Sequence, residues 1–212
     1  MIQLGLFPLR DDVVMPSFGT SMSTCFDLSF NPGEPTVKGY DEWNNPINQY
    51  VNDHGELVIR SGDRMLIPTG VVMKITKNVS IETYSDIHDS KYNIPLQNYS
   101  IRLHARSGLS LKRGLVLANA EGVVDVDYQQ EVFVMLMNIS KMPTFIKKGD
   151  RIAQGEVICN VPISIVQLPN MPEQYSERDG GFGSTGVTGV FGSTGAGSVQ
   201  EWHVDGPTNF YK

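Results

Sequence analysis

Apolar residues along the chain alternate with polar ones more often than they recur every three or four positions. The clearest stretch sets Tyr99, Ile101, Leu103 and Ala105 against Ser100, Arg102, His104 and Arg106. A period of two predicts a strand with one buried face. Further β-type runs cover 65–76, 115–118, 131–139, 144–147 and 157–166, each bounded by Gly, Pro, Asn or Asp. Within 131–139 the residues 132–137 are apolar throughout and only Asn138 interrupts them, a pattern that predicts a strand buried on both faces. One helix is expected over 107–113, with Ser107 as its cap and Gly114 as its stop. Short strands at regular spacing place the chain in the all-β class, as a sandwich or barrel.

Two stretches break the rhythm. Residues 31–63 are rich in Pro, Gly and Asn around Trp43, and residues 78–98 are polar with Tyr84 and Tyr92 near their edges. Long structureless loops are uncommon inside compact domains, so these read as added hairpins or functional insertions, with a protein partner for the insertions as an option. From Gly180 to Gln200 there are eight Gly in 21 residues and no charge, and Phe-Gly-Ser-Thr-Gly occurs at 182–186 and again at 191–195. The expected organisation is a single β domain over 1–177 and a flexible glycine-rich arm and extension over 178–212.

Composition narrows the function classes. Seventeen basic against 23 acidic residues give a net charge of −6, which lacks the electrostatic footprint of a duplex-binding protein, so no nucleic-acid partner is expected. No apolar stretch reaches the length of a membrane span, so no membrane partner is expected either. The two cysteines, Cys25 and Cys159, build neither a disulfide framework nor a zinc cage, and the first basic residue is Arg10. A cytoplasmic location follows as the expectation.

Three segments carry chemistry. Arg106-Ser107-Gly108 follows a strand and offers a cation, a hydroxyl and accessible backbone N–H groups, a combination able to hold phosphate oxygens. Residues 119–128, Asn-Ala-Glu-Gly-Val-Val-Asp-Val-Asp-Tyr, combine an amide able to pair with a base edge and carboxylates able to take a proton from water. Residues 149–154, Gly-Asp-Arg-Ile-Ala-Gln, read by themselves as a turn with a solvent-facing arginine.

In order, Thr24-Cys25-Phe26-Asp27-Leu28, Arg106-Ser107-Gly108-Leu109, 122–128, 149–154 and 178–186 closely resemble the five motifs of the trimeric all-β dUTPase family. The segment 66–70, Leu-Ile-Pro-Thr-Gly, resembles the strand that precedes the second motif. Departures are Thr24-Cys25 in place of Ala-Gly, Gln129-Gln130 after Tyr128, and Gly155-Glu156 after Gln154, where a bulge is expected. The repeated arm element and the 17 residues past Gly195 also depart from the family pattern.

The resemblance implies a β-barrel or jelly roll of the β-clip type, a homotrimer with a swapped C-terminal arm, and Mg²⁺-assisted hydrolysis of dUTP to dUMP and pyrophosphate. It makes Asp125 the base that activates the attacking water. It assigns phosphate binding to Arg106, Ser107, Gly108, Gln154, Arg178, Gly183, Ser184 and Thr185, and uracil or deoxyribose binding to Asn119, Gly122, Tyr128 and Phe182. Asp27 is then a metal contact through water. Two rivals differ in class. A dCTP deaminase of the same fold would need a glutamate near Met135, where a thioether cannot relay a proton. A regulatory binding protein on the same fold would use the insertions and the arm as contact surfaces.

Overall fold

The computed structural model describes residues 2–77 and 95–175. Its strands are β1 (Ile2–Pro8), β2 (Ser17–Phe18), β3 (Phe26–Ser29), β4 (Thr36–Tyr40), β5 (Pro46–Tyr50), β6 (Glu56–Ile59) and β7 (Arg64–Lys77), followed by β8 (Tyr99–Ala105). One helix, α1 (Ser107–Arg113), precedes β9 (Leu115–Leu117), β10 (Gly122–Asp125), β11 (Glu131–Asn138), β12 (Thr144–Lys147) and β13 (Arg151–Cys159). The all-β expectation holds.

The first sheet runs β5-β4-β7-β11-β9, with β1 also paired to β7. The second runs β10-β8-β13-β3-β2, and β12 pairs with β6 in a third, two-stranded sheet. Strand β7 is the spine of the first sheet because Met65, Ile67, Thr69, Val71, Met73 and Ile75 alternate into the core. They meet Leu28, Phe30, Ile101, Leu103 and Ile152. Burying such side chains contributes about 1.5–3 kcal/mol each. The outer face of β7 and β11 leaves Leu66, Phe133 and Met135 exposed. Residues 132–137 are therefore half-buried within the chain: Val132, Val134 and Leu136 face the core, and the alternation of a pleated strand sends Phe133 and Met135 outward.

Other expectations change in detail. The residues 31–63 hold the β4–β5 hairpin and β6, which answers to the added hairpin of the two readings. Of 78–98, only 95–98 are described, with a 3₁₀ turn at Leu96–Asn98. The strand expected over 157–166 ends at Cys159, since Pro162 has no N–H for a ladder and Ile163, Ile165 and Val166 are exposed. It starts earlier, at Arg151, which pairs with Ser29 of β3, and β8 joins from Ala153 onward.

The bulge expected at Gly155-Glu156 falls instead between Arg151 and Ala153. At Gly155 a side chain would meet the Phe26 ring, its Cβ only 2.5 Å from Cζ, so the glycine serves packing. Helix α1 spans the expected residues, but Arg106 occupies the N-cap and no side chain caps it. Gly114 does end the helix, in the left-handed region at φ 65°. Asn138 is fully buried and its amide is satisfied by donating to the Ile59 and Met142 carbonyls, both at 2.9 Å, which ties β11 to the end of β6 and to the loop after β11.

The chain divides into two compact units, 1–164 and 165–212. Of the second unit, 165–175 are described; they are exposed and form neither helix nor strand.

Candidate active site

The second sheet gathers three of the motif segments at one end. Strand β8 ends at Ala105 and delivers Arg106 to the start of α1; Gln154 on β13 lies opposite both His104 of β8 and Asp27 of β3. Around this junction opens a cleft of about 390 Å³ lined by Arg106, Ser107, Gly108, Leu109, Lys112, Arg113, Asp150, Arg151 and Gln154.

Asp27 lies beneath the cleft, with only 7% of its side chain exposed. Arg151 Nη1 donates to its Oδ2 at 3.0 Å, and Arg106 Nη1 stands 3.4 Å from its Oδ1. One buried carboxylate thus holds two arginines that would otherwise repel each other, and aims both at the cleft. Arg113 is fixed in the same way: its Nη1 donates to Asp150 Oδ2 at 3.2 Å and to the Phe145 carbonyl at 3.0 Å. Beside Asp27, burial and then the Glu156 and Asp27 carboxylates push the Cys25 thiol up, which keeps it protonated and a poor nucleophile.

Asp27 Oδ1 is buried and has no hydrogen-bond partner. Such an acceptor fits a water carried by a cation on a bound phosphate. Among the described residues no group of three His, Cys, Asp or Glu could hold a metal directly, so a hard cation here would take its ligands from phosphate oxygens and water.

The residues 119–128 lie elsewhere on the sheet. Asn119 sits in a turn where Ala120 has φ 61° and Glu121 N–H donates to the Asn119 carbonyl at 2.7 Å. Arg102 Nη1 reaches Glu121 Oε2 at 3.2 Å and His104 Nδ1 lies 3.8 Å from Glu121 Oε1, so β8 braces this turn. Gly122 pairs with Leu103 and Asp125 with Ser100. Tyr128 donates its hydroxyl to the Glu131 carbonyl at 2.9 Å, which fixes a half-exposed ring. Arg106 lies six residues beyond Ser100 along the β8 direction, about 20 Å of extended chain. Asp125 and the cleft of one chain are therefore far apart.

Of the sequence-predicted residues, the cleft brings together Arg106, Ser107, Gly108 and Gln154, with Asp27 underneath. Asn119, Gly122, Asp125 and Tyr128 do not line it. Arg178, Phe182, Gly183, Ser184 and Thr185 lie outside the described residues. Sequence reasoning did not single out Lys112, Arg113, Asp150 or Arg151 as site residues; the signal available for the first two was their place one helical turn or more after Arg106 on the expected helix.

Residues 74–186 match the family model described as dUTPase. A deoxyuridine 5'-triphosphate nucleotidohydrolase of Caldanaerobacter subterraneus is 35% identical over 142 residues, 66% of this chain and 81% of the relative. That of a Hydrogenobaculum species is 28% identical over 179 residues, 84% of this chain and 94% of the relative. Among solved structures, a dUTPase mutant of Staphylococcus bacteriophage 80alpha with dUpNHpp aligns at a TM-score of 0.60 and 18% identity, covering 87% of this chain and 99% of that one. A mutant dUTPase of phage phi11 of S. aureus, described with a structural Mg(II) ion, aligns at 0.53 and 16% identity over 79% of this chain and 97% of that one. At these identities the two structures speak for the fold.

Proposed function

The chain belongs to the dUTPase family, and from this we propose that it hydrolyses dUTP to dUMP and pyrophosphate in a site completed by other copies of the same chain. The observation that carries the reading is the cleft where Arg106, Ser107, Gly108 and Gln154 converge above the Asp27 brace. A cation, a hydroxyl, an amide and backbone N–H groups suit the nonbridging oxygens of a polyphosphate, whose displacement depends on positioning and charge more than on covalent help.

In this reading Ser107, Gly108 and Gln154 hold the α- and β-phosphates, and Arg106 neutralises charge beside them. Asp125 accepts the proton of the attacking water, which is directed at the α-phosphorus in line with the leaving pyrophosphate. Asn119 pairs with uracil, Gly122 leaves room beside it, and the ring of Tyr128 lies under the deoxyribose, where it excludes a ribose 2′-OH. From the arm, 178–212, Arg178 reaches the γ-phosphate with Gly183, Ser184 and Thr185, and Phe182 stacks on the base. Mg²⁺ would supply charge neutralisation on the triphosphate, and Asp27 Oδ1 would receive a water of its shell.

Because Asp125 stands about 20 Å along β8 from the cleft, it serves the cleft of a neighbouring copy. The exposed Leu66, Phe133 and Met135 provide an apolar face for that neighbour, continuous with a groove of about 620 Å³ beside Tyr40, Pro46 and Ile47. A homotrimer of β domains 1–177 exchanging arms satisfies both features, in a cytoplasmic setting that suits the two unpaired cysteines. The test is pyrophosphate release from dUTP by the purified protein with Mg²⁺. Release is expected with dUTP and not with UTP; ammonia from dCTP, or binding of dUTP without turnover, would overturn the reading.

A further inference from the structure

Four cations rim the cleft: Arg106, Lys112, Arg113 and Arg151. Three of them are committed to carboxylates within the chain. Arg106 and Arg151 share Asp27, and Arg113 is held by Asp150. Arg113 is pinned further by the Phe145 ring, 5.8 Å from its guanidinium carbon. Lys112, exposed at the last turn of α1, forms no ion pair among the described residues.

The charge balance of the cleft gives Lys112 a role. Asp27 and Asp150 offset half of the four cations, which leaves an excess of two positive charges. A triphosphate carrying one divalent cation presents about two negative charges, equal in size and opposite in sign to the excess of the cleft. Spacing agrees as well. Five residues of helix separate Ser107 from Lys112, about 7.5 Å along the axis. Both residues line the cleft, so a polyphosphate lying along α1 can meet both.

We infer that Lys112 binds the pyrophosphate half of dUTP, its β- and γ-phosphates, and retains the same contact with the pyrophosphate product, while the immobilised Arg113 forms a fixed positive wall behind it. The inference rests on the dUTP reading above. A lysine suits this place because a flexible stem can follow the leaving group, whereas the braced arginines hold the oxygens that stay in place.

The test compares the parent protein with Lys112→Ala and Lys112→Arg for dUTP turnover with Mg²⁺, inhibition by inorganic pyrophosphate, and binding of dUMP. Loss of one charge-assisted contact should raise KM for dUTP and the inhibition constant for pyrophosphate by about tenfold or more. The dUMP affinity should stay within about twofold, since dUMP lacks the contacted groups, and Lys112→Arg should recover most of the pyrophosphate affinity. Unchanged KM and pyrophosphate inhibition in Lys112→Ala, or dUMP binding weakened as much as pyrophosphate binding, would overturn the inference alone. A parent protein that released no pyrophosphate from dUTP would instead overturn the functional reading and this inference with it.

Discussion

At the residue scale, one buried carboxylate, Asp27, holds the two arginines Arg106 and Arg151 at the cleft. Asp27→Ala removes the shared counter-charge of Arg106 and Arg151, which then face each other across a partly buried gap. We expect a loss of about 1–3 kcal/mol of stability, less than for a fully buried pair because Arg151 is more than half exposed. Urea unfolding would measure this, and a steep rise in KM for dUTP should accompany it. Asp125→Asn keeps the shape and loses the base, so kcat should fall by about 10²–10⁴ while dUTP binding persists; turnover at the parent rate would remove Asp125 from that role. Tyr128→Ala should lower the ratio of dUTP to UTP specificity constants. Tyr128→Phe should keep the ratio, since the ring stays and only the bond to the Glu131 carbonyl is lost.

Arg106, Ser107 and Gly108 could be singled out because a cation, a hydroxyl and glycine N–H groups after a strand suit phosphate, whereas 149–154 read by themselves as a turn and Gln154 was singled out only through the family resemblance. Arg151 and Arg113 were not, because a charged residue in a turn or at a helix end reads as solvated until a buried carboxylate or a facing strand is seen beside it. Asp27 was found, but its two arginine partners lie 79 and 124 positions away, beyond any local pattern.

At the element scale, the long alternation of β7 and the Gly114 stop of α1 could be read directly, since both are local, whereas the cap expected at Ser107 fell one residue late. Strands β2 and β3 could not: β2 has two residues, and all four of β3 are buried, which hides the period of two. The β4–β5 hairpin joins the first sheet through Gly39, opposite Met65 of β7. A Cβ there would stand 2.4 Å from the Arg64 carbonyl oxygen, a backbone atom with little room to move. Gly39→Ala should therefore loosen the hairpin from β7 and cost about 1–3 kcal/mol. Hydrogen exchange would show the loss concentrated in 36–50, with the cleft at the end of the second sheet keeping its protection.

At the scale of the whole molecule, the proposal of a site shared between copies rests on the position of Asp125, opposite Ser100 on β8 and about 20 Å along the strand from Arg106. No pattern of residues discloses it, because the distance between Asp125 and Arg106 follows from the β8–β10 register and not from their separation in sequence. An exposed apolar face at Leu66, Phe133 and Met135 agrees with a neighbour at that position. Replacing Met135 with Glu should therefore shift the protein toward monomers in light scattering and abolish turnover, although the side chain lies outside the cleft.

Complementation tests the shared site most directly. Asp125→Asn and Arg106→Ala, each expected to be nearly inactive alone, are co-expressed in equal amounts so that mixed assemblies form. If the cleft of one copy uses Asp125 of another, about one quarter of the sites in randomly mixed assemblies regain both intact groups, and dUTP hydrolysis should return to about a quarter of the parent rate. If Asp125 and Arg106 act within the same chain, every site carries one defect, and mixed assemblies no more active than either variant alone would contradict the account.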